Sequence, residues 1–86
     1  MDLKSYFYSL PPGERERLAV ETGTTPGHLR NCMYGYKPVS PALAVAIERF
    51  SNRKVTRPEL RPGDWKAIWP ELDPKQRAAK ARLKAA

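Results

Sequence analysis

Residues 14–40 read ERERLAVETGTTPGHLRNCMYGYKPVS and contain two predicted helices joined by a very short turn. A turn this short fixes the helices at a steep angle, and it needs a small residue at their contact and a residue that tolerates positive φ. Ala19 is the small contact residue, Gly23 supplies the turn, and Leu29 points back into the core. Thr25 is the predicted N-cap of the second helix and Pro26 its first residue. The stretch therefore predicts a helix over residues 25–34 that crosses the helix before it.

Apolar residues recur at helical spacing on both sides of this pair. Asp2 is predicted to cap a first short helix, and Ser40 and Pro41 begin a fourth amphipathic helix. Thr56 and Glu59 form a capping box that starts a fifth, very short helix. The apolar positions are Leu3, Tyr6, Phe7 and Leu10 in the first helix and Leu43, Ala46, Ile47 and Phe50 in the fourth. With no alternating strand pattern, the sequence predicts an all-α domain of five helices.

A further apolar set with helical spacing follows near the C-terminal end. Pro70 prevents a regular helix through this set, because proline lacks the amide hydrogen and clashes with the preceding turn. Two alternatives are open: the segment folds back over the domain's own core, or it meets a second subunit. The candidate contacts in an oligomer are Trp65, Ile68, Trp69 and Leu72.

The net charge of +7 is concentrated in two blocks of the 86-residue chain. Residues 25–61 hold seven basic and two acidic side chains, and residues 74–86 hold five basic side chains and no acidic one. Such an excess favours a polyanionic partner, chiefly nucleic acid or an anionic membrane surface. The second block is a basic tail, rich in alanine, that is either flexible or helical. It lacks the apolar face of a membrane-surface helix, so we expect no membrane partner.

The residue inventory argues against an enzyme. Cys32 and His28 are the sole residues of their types, and there is no phosphate-cradling glycine loop or cluster of carboxylates. These residues do not provide the nucleophile, base and charged groups of an active site, so we expect no enzyme and no cofactor. A structural metal site usually has four ligands, and two residues cannot complete one, so we expect no metal. A single cysteine fits a reducing compartment. With no apparent signal peptide or membrane-spanning run, we expect a cytoplasmic protein of a bacterium or a phage-infected host.

Residues 14–40 resemble the helix-turn-helix of the lambda repressor-like, Cro/repressor superfamily. The wider chain, from about residue 3 to residue 72, resembles the YdaS-type, Cro-like prophage antitoxin and repressor family. The segments that carry this resemblance are SLPPGERERLAVETGTTPGHL, SPALAVAIERFSNRKVTRPELRP and IWPEL. The resemblance implies an all-α domain of about five helices that binds operator DNA as a symmetric oligomer. We assign residues 1–73 to this DNA-binding domain, with the helix-turn-helix at about 14–35, and residues 74–86 to the tail.

The helix over residues 25–34 is the expected recognition helix. Leu29, Cys32 and Met33 face inward, so the other side of the helix faces outward, and a helix in the major groove reads bases mainly from its N-terminal half. The expected DNA-binding residues are Thr25, Pro26, Gly27, His28, Arg30, Asn31, Tyr34, Tyr36 and Lys37, together with Arg15 from the preceding helix. For each of them the alternative is an ordinary solvated surface residue.

The residue types suggest a role for each position. The planar fork of Arg30 matches O6 and N7 of guanine, and the Asn31 amide matches N6 and N7 of adenine. Thr25 and the amides of the first turn suit a phosphate. Arg15, Tyr34, Tyr36 and Lys37 are expected near the DNA backbone. The tail either lies along phosphates or is a mobile solubilising segment.

Two functions from different classes fit these observations. The first is a Cro-type repressor that binds a short palindromic operator as a homodimer or a higher homo-oligomer. The second is an antitoxin that neutralises a toxin by direct protein contact, with or without autorepression. The tail is basic and poor in apolar anchors, which counts against a segment that wraps a toxin.

Overall fold

The computed structural model describes residues 1–74, so nearly all of the expected tail lies outside the described residues. Within that range the chain is all-helical, which confirms the predicted fold class. These residues form six α-helices rather than five, because a turn of helix forms just before Pro70. The elements are α1 Leu3–Ser9, α2 Pro12–Glu21, α3 Pro26–Met33, α4 Pro41–Phe50, α5 Arg57–Leu60, α6 Trp65–Ile68 and a 3-10 helix Pro70–Leu72.

The turn between α2 and α3 has the geometry that the sequence predicts. Gly23 has a φ of 78°, in the left-handed region that a side chain disfavours. The Thr24 amide donates to the Ala19 carbonyl at 2.8 Å and closes the end of α2. The side-chain oxygen of Thr25 then accepts from the His28 amide at 3.1 Å and caps α3. Ala19 and Leu29 are completely buried where the two helices meet.

The core lies beneath α3 and takes side chains from every longer helix. Its largest fully buried side chains are Phe7, Leu18, Leu29, Ile47 and Val55. Cys32 and Met33 are half-buried and pack against this core, as the spacing on α3 predicts. α3 is therefore anchored along one side by apolar contacts, and its opposite side is left exposed.

Trp69 packs into the core of its own chain and is 8% exposed. The Arg57 guanidinium lies 5.2 Å from the centre of its ring, and Arg57 Nε is 3.1 Å from Oε1 of Glu48 on α4. For Trp69 the structure thus supports the first of the two alternatives, a segment folded over its own core. The neighbouring side chains Trp65, Ile68 and Leu72 are half-buried and pack against the same core. Their contact with a second subunit stays a prediction.

Arg61 ties the turn before α6 to the loop that follows α3. Its Nε donates to Asp64 Oδ1 at 2.9 Å and its Nη2 to Asp64 Oδ2 at 2.6 Å. Its remaining Nη1 donates to the backbone carbonyl of Val39. A two-point guanidinium–carboxylate pair is directional. The pair therefore holds the α3–α4 loop against the C-terminal part of the fold.

We expect this pair to make stability depend on pH. The hydrogen bond from Arg61 lowers the pKa of the Asp64 carboxyl in the folded protein. A depressed folded-state pKa stabilises the fold above the unfolded pKa of about 3.9, and this contribution is lost as pH falls through the folded value. Asp64→Asn should therefore be less stable than the parent near neutral pH, and the difference should shrink in acid. Urea unfolding of both proteins at neutral pH and below about pH 3 measures this, and an unchanged difference would contradict it.

Candidate nucleic-acid interface

The outer side of α3 presents polar and aromatic side chains directly opposite the buried Leu29. Arg30 and Asn31 are both exposed, as a repeat of about 3.6 residues per turn requires. Of the residues expected to contact DNA, the structure leaves Thr25, Gly27, Arg30, Asn31, Tyr34, Tyr36 and Lys37 exposed and Arg15, Pro26 and His28 half-buried. A helix of eight residues is about 12 Å long, close to the width of the major groove.

Arg30 leans toward α1 without being enclosed. Its guanidinium lies 5.8 Å from the centre of the Phe7 ring, within the range of a cation–π contact. Because Arg30 remains exposed, its fork of donors is still accessible from solvent. The contact with Phe7 limits the positions that the guanidinium can sample, so part of the ordering that binding requires is already present.

The hydroxyl of Thr25, at the start of α3, can accept one hydrogen bond and donate another. Its oxygen accepts from the His28 amide, and this bond uses an acceptor lone pair. The hydroxyl proton is not consumed by that bond and can donate outward. Thr25 can therefore cap the helix and contact an anion such as a phosphate oxygen at the same time.

Two residues of α1 lie beside the end of α3 and are not among the residues expected from the sequence to bind DNA. The Tyr8 hydroxyl is 2.9 Å from the Tyr34 hydroxyl, and Lys4 Nζ lies 5.1 Å from the centre of the Tyr34 ring. The hydrogen bond with Tyr8 raises the pKa of Tyr34 above its ordinary value. The spacing of four residues does place Lys4 and Tyr8 on the same exposed side of α1. The sequence did not show that this side lies next to the end of α3, so it could not assign the two residues to the site.

Arg15, which was expected to contact a phosphate, also binds the C-terminal end of α1. Its Nε donates to the Phe7 carbonyl at 3.1 Å and its Nη2 to the Tyr8 carbonyl at 3.3 Å. The guanidinium also lies 5.4 Å from the Phe7 ring and 5.3 Å from the Tyr8 ring. Arg15 thereby satisfies carbonyls at the C-terminal end of α1 and places a positive charge there. Its contact with a flanking phosphate stays a prediction.

The loop after α3 carries Tyr36 and Lys37 outward. Gly35 has a φ of 82°, and the amides of Tyr36 and Lys37 donate to the Asn31 carbonyl at 2.8 and 3.2 Å. These bonds close the C-terminal end of α3 and fix the direction of the loop. The Tyr36 side chain is 77% exposed, so its ring has almost no support from the protein.

His28 and Cys32 meet on the side of α3 that faces α4. Cys32 Sγ is 3.5 Å from His28 Nε2 and 3.8 Å from the Pro38 carbonyl oxygen. Burial raises the pKa of the Cys32 thiol, so it is protonated at neutral pH. Within residues 1–74 no third histidine, cysteine or carboxylate joins the pair to make a metal-binding group. The same residues include no helix with the length and apolar character needed to cross a membrane.

Comparison with known proteins places the chain in a family. Residues 12–68, from the start of α2 to the end of α6, match the family model described as bacterial toxin YdaS. A relative from Escherichia coli (strain K12), described as a prophage transcriptional regulatory protein, is 38% identical over 60 residues. This alignment covers 70% of the chain and 91% of the relative, whose description is that of a regulator and not of an enzyme. The chain therefore belongs to the YdaS family.

Proposed function

We propose that this protein is a transcriptional regulator that binds double-stranded DNA through the outer side of α3. The observation that carries the proposal is the division of α3 between Leu29, which is fully buried, and Arg30 and Asn31, which are exposed. The description of the Escherichia coli relative as a transcriptional regulator supports it. In finer detail, we propose a Cro-type repressor that acts in the cytoplasm on a short palindromic operator.

Each part of the surface has a separate task in this proposal. Arg30 pairs with guanine and Asn31 with adenine in the major groove. Thr25, Lys37 and the hydroxyl pair of Tyr8 and Tyr34 contact phosphates and set the register of the protein on the duplex. Phosphate contacts carry no base information, so sequence preference depends on the two groove residues.

We also propose that the protein binds as a homodimer. A palindromic operator presents two half-sites about one helical turn apart, roughly 34 Å, and two copies of α3 are needed to read both. Trp65, Ile68 and Leu72 are the candidate contacts, since each retains some exposure beside the buried Trp69. Trp69 itself contributes through the packing of this segment and not by direct contact.

Selection from random duplexes tests the proposal. The full chain is incubated with a library of duplexes at moderate salt, and the bound fraction is amplified and sequenced. We expect enrichment of two inverted half-sites whose centres lie about 10 base pairs apart. Enrichment of a single half-site would contradict the dimer, and failure to enrich any sequence at any salt concentration would contradict sequence-specific binding.

Arg30→Ala should weaken binding to the selected site by about 1–3 kcal/mol and relax the preference at one base position. The reason is that the bidentate pair with a single guanine is lost while the phosphate contacts remain. Competition titrations with the selected duplex and its single-base variants measure both effects. An Arg30→Ala protein with unchanged affinity and unchanged preference would disprove base readout by this residue.

Lys37→Ala is the matched control, because it removes one positive charge from the same surface without removing a base contact. It should weaken binding to all sequences about equally and lower the slope of log K against log salt by about 0.9. The preference for bases should stay that of the parent. A changed preference would show that the loop takes part in base readout.

The alternative of an antitoxin that acts by direct protein contact has less support. The family description names a toxin and the relative's description names a regulator, and neither names an antitoxin. The selection experiment separates a regulator from an antitoxin without autorepression, because such an antitoxin would enrich no duplex.

A further inference from the structure

A second group of positive charges lies at the C-terminal end of α4. Arg49, Arg53 and Lys54 are all exposed. In the part of the chain that the structure describes, no carboxylate lies within ion-pair distance of any of the three. By contrast, Arg17 on α2 is paired with both Glu14 and Glu21. We call Arg49, Arg53 and Lys54 the α4 basic cluster.

Two members of the α4 basic cluster, Arg49 and Arg53, line a cleft of about 310 Å³ together with Asn52 and Arg57. Lys54 follows Arg53 in the chain, outside the lining of the cleft. The one carboxylate in the cleft is Glu48, and Arg57 already neutralises it. Glu48 Oε1 lies 3.1 Å from Arg57 Nε, and Oε2 accepts from the Arg57 amide at 3.0 Å. The charges of Arg49 and Arg53 are therefore uncompensated within the cleft, and a concave surface of one charge sign focuses the electrostatic field.

The backbone presents these side chains from a fixed and unusual conformation. Asn52 has a φ of 54° and Arg53 a φ of 67°, both in the left-handed region. That conformation is rare for arginine. The buried hydroxyl of Ser51 accepts from the Val55 amide at 3.0 Å, and the Arg53 amide donates to the Glu48 carbonyl at 2.9 Å. The turn is held by internal bonds, so the backbone that carries Arg53 and Lys54 is fixed before any ligand arrives.

The α4 basic cluster is separate from the surface proposed to read bases. The first turn of α4 lies next to the α2–α3 turn, since Ala42, Thr24 and His28 border the same small cleft. A helix of ten residues is about 15 Å long, so the cluster lies about that far from this end. A duplex contacted by α3 is therefore not automatically in contact with the cluster.

We propose that the α4 basic cluster is a second nucleic-acid site that binds the phosphodiester backbone without base readout. Guanidinium groups bind phosphate oxygens with two parallel hydrogen bonds, and a lysine adds a point charge. Among residues 1–74, no aromatic side chain lines this cleft, so the stacking platform of a single-strand binder is missing there and a duplex backbone is the better fit. The site extends the proposed function, and its ligand is either the flank of the operator duplex or a second duplex.

The test compares two proteins of the full chain. One carries Arg49→Gln, Arg53→Gln and Lys54→Gln together, and its control carries Arg49→Lys and Arg53→Lys, which keep the charge. Each is titrated with the selected site in a short duplex and in one with long flanks, over a range of salt. Each is also tested for capture of a labelled, unrelated duplex by the immobilised operator complex. Urea unfolding confirms that both proteins are as stable as the parent.

Each phosphate contact contributes about 0.9 to the slope of log K against log salt, so loss of three contacts lowers it by up to about 2.7. If the flank is the ligand, the neutralised protein loses this slope on the long duplex alone. If a second duplex is the ligand, the neutralised protein no longer captures the unrelated duplex. In both cases base preference stays that of the parent, and the charge-keeping control keeps the parent's salt slope because it keeps the charges. Equal slopes and equal capture in all proteins would overturn the proposal.

Failure of the second site can be distinguished from failure of the proposed DNA-binding function. If the parent selects no sequence but binds an unrelated duplex with a salt slope that the neutralised protein lacks, base readout by α3 is wrong and the second site is supported. If the parent selects an operator and Arg30→Ala alters its preference, while the neutralised protein behaves like the parent, the second site alone is wrong.

Discussion

Leu29→Ala should lower the free energy of unfolding by about 2–5 kcal/mol, which is the range for truncating a fully buried leucine. Leu29 lies on the inner side of α3 and is completely buried in the core, so its truncation leaves a cavity directly beneath α3. Small domains have a total stability of only about 5–15 kcal/mol, and this one change removes a large part of it. Urea unfolding followed by far-UV circular dichroism measures the effect.

The matched control for Leu29→Ala is Val20→Ala on α2. Val20 is an apolar residue of the same region but is 76% exposed, so its truncation should change stability by no more than about 0.5 kcal/mol. Equal effects of the two changes would show that α3 is not anchored through Leu29. In that case the outer side of α3 would not be held in a fixed orientation toward DNA.

Trp69→Ala should cost about 3–5 kcal/mol of unfolding free energy, the range for truncating a large buried aromatic residue. The ring is nearly buried in the core of its own chain, and the Arg57 guanidinium that covers it would lose its aromatic partner. Arg57 and Glu48 are only partly exposed, so weaker support for their ion pair adds to the cost. Urea unfolding with Trp65 fluorescence as the probe measures the loss.

Lys66→Ala on the exposed side of α6 is the control for Trp69→Ala, and it should leave stability nearly unchanged. Dilution separates the two possible roles of Trp69. The loss caused by Trp69→Ala should be independent of protein concentration, because its contacts lie within one chain. A loss that disappears when the protein is dilute would place the ring in a contact between subunits.

The helix pair could be predicted because its determinants are local in the sequence. A small residue at Ala19, a glycine at Gly23 and a threonine cap at Thr25 each dictate backbone geometry within a few residues. The inward direction of Leu29 follows from the helical repeat alone. These features decide which side of α3 faces outward, so the exposure of Arg30 and Asn31 could also be predicted.

The surroundings of the site depended on contacts between distant parts of the chain. Lys4 and Tyr8 approach the end of α3 only because α1 packs beside it, and the Tyr8–Tyr34 hydrogen bond joins residues 26 positions apart. Arginine is a residue type that contacts phosphates, yet Nε and Nη2 of Arg15 donate to the carbonyls of Phe7 and Tyr8. Periodicity indicates that a side chain is exposed but not which neighbours it meets.

In the C-terminal segment, too, the local structure could be predicted from the sequence but the long-range contacts could not. Pro70 was correctly predicted to prevent a regular helix through the apolar set, but a single turn, α6, forms ahead of it. Whether Trp69 meets its own core or a partner could not be decided from spacing, since both surfaces are apolar. The structure places Arg57 against one face of the ring and thereby shows that the residue belongs to the core.

The most direct test of the central claim is a titration of the isotope-labelled full chain with its selected duplex, followed by amide chemical shifts in nuclear magnetic resonance. We expect the largest shifts at Gly27, Arg30 and Asn31 on α3 and at Tyr36 and Lys37 in the following loop, with the buried Ile47 nearly unchanged. Shifts that are confined to α5 and α6, with Arg30 and Asn31 unaffected at saturation, would contradict the account.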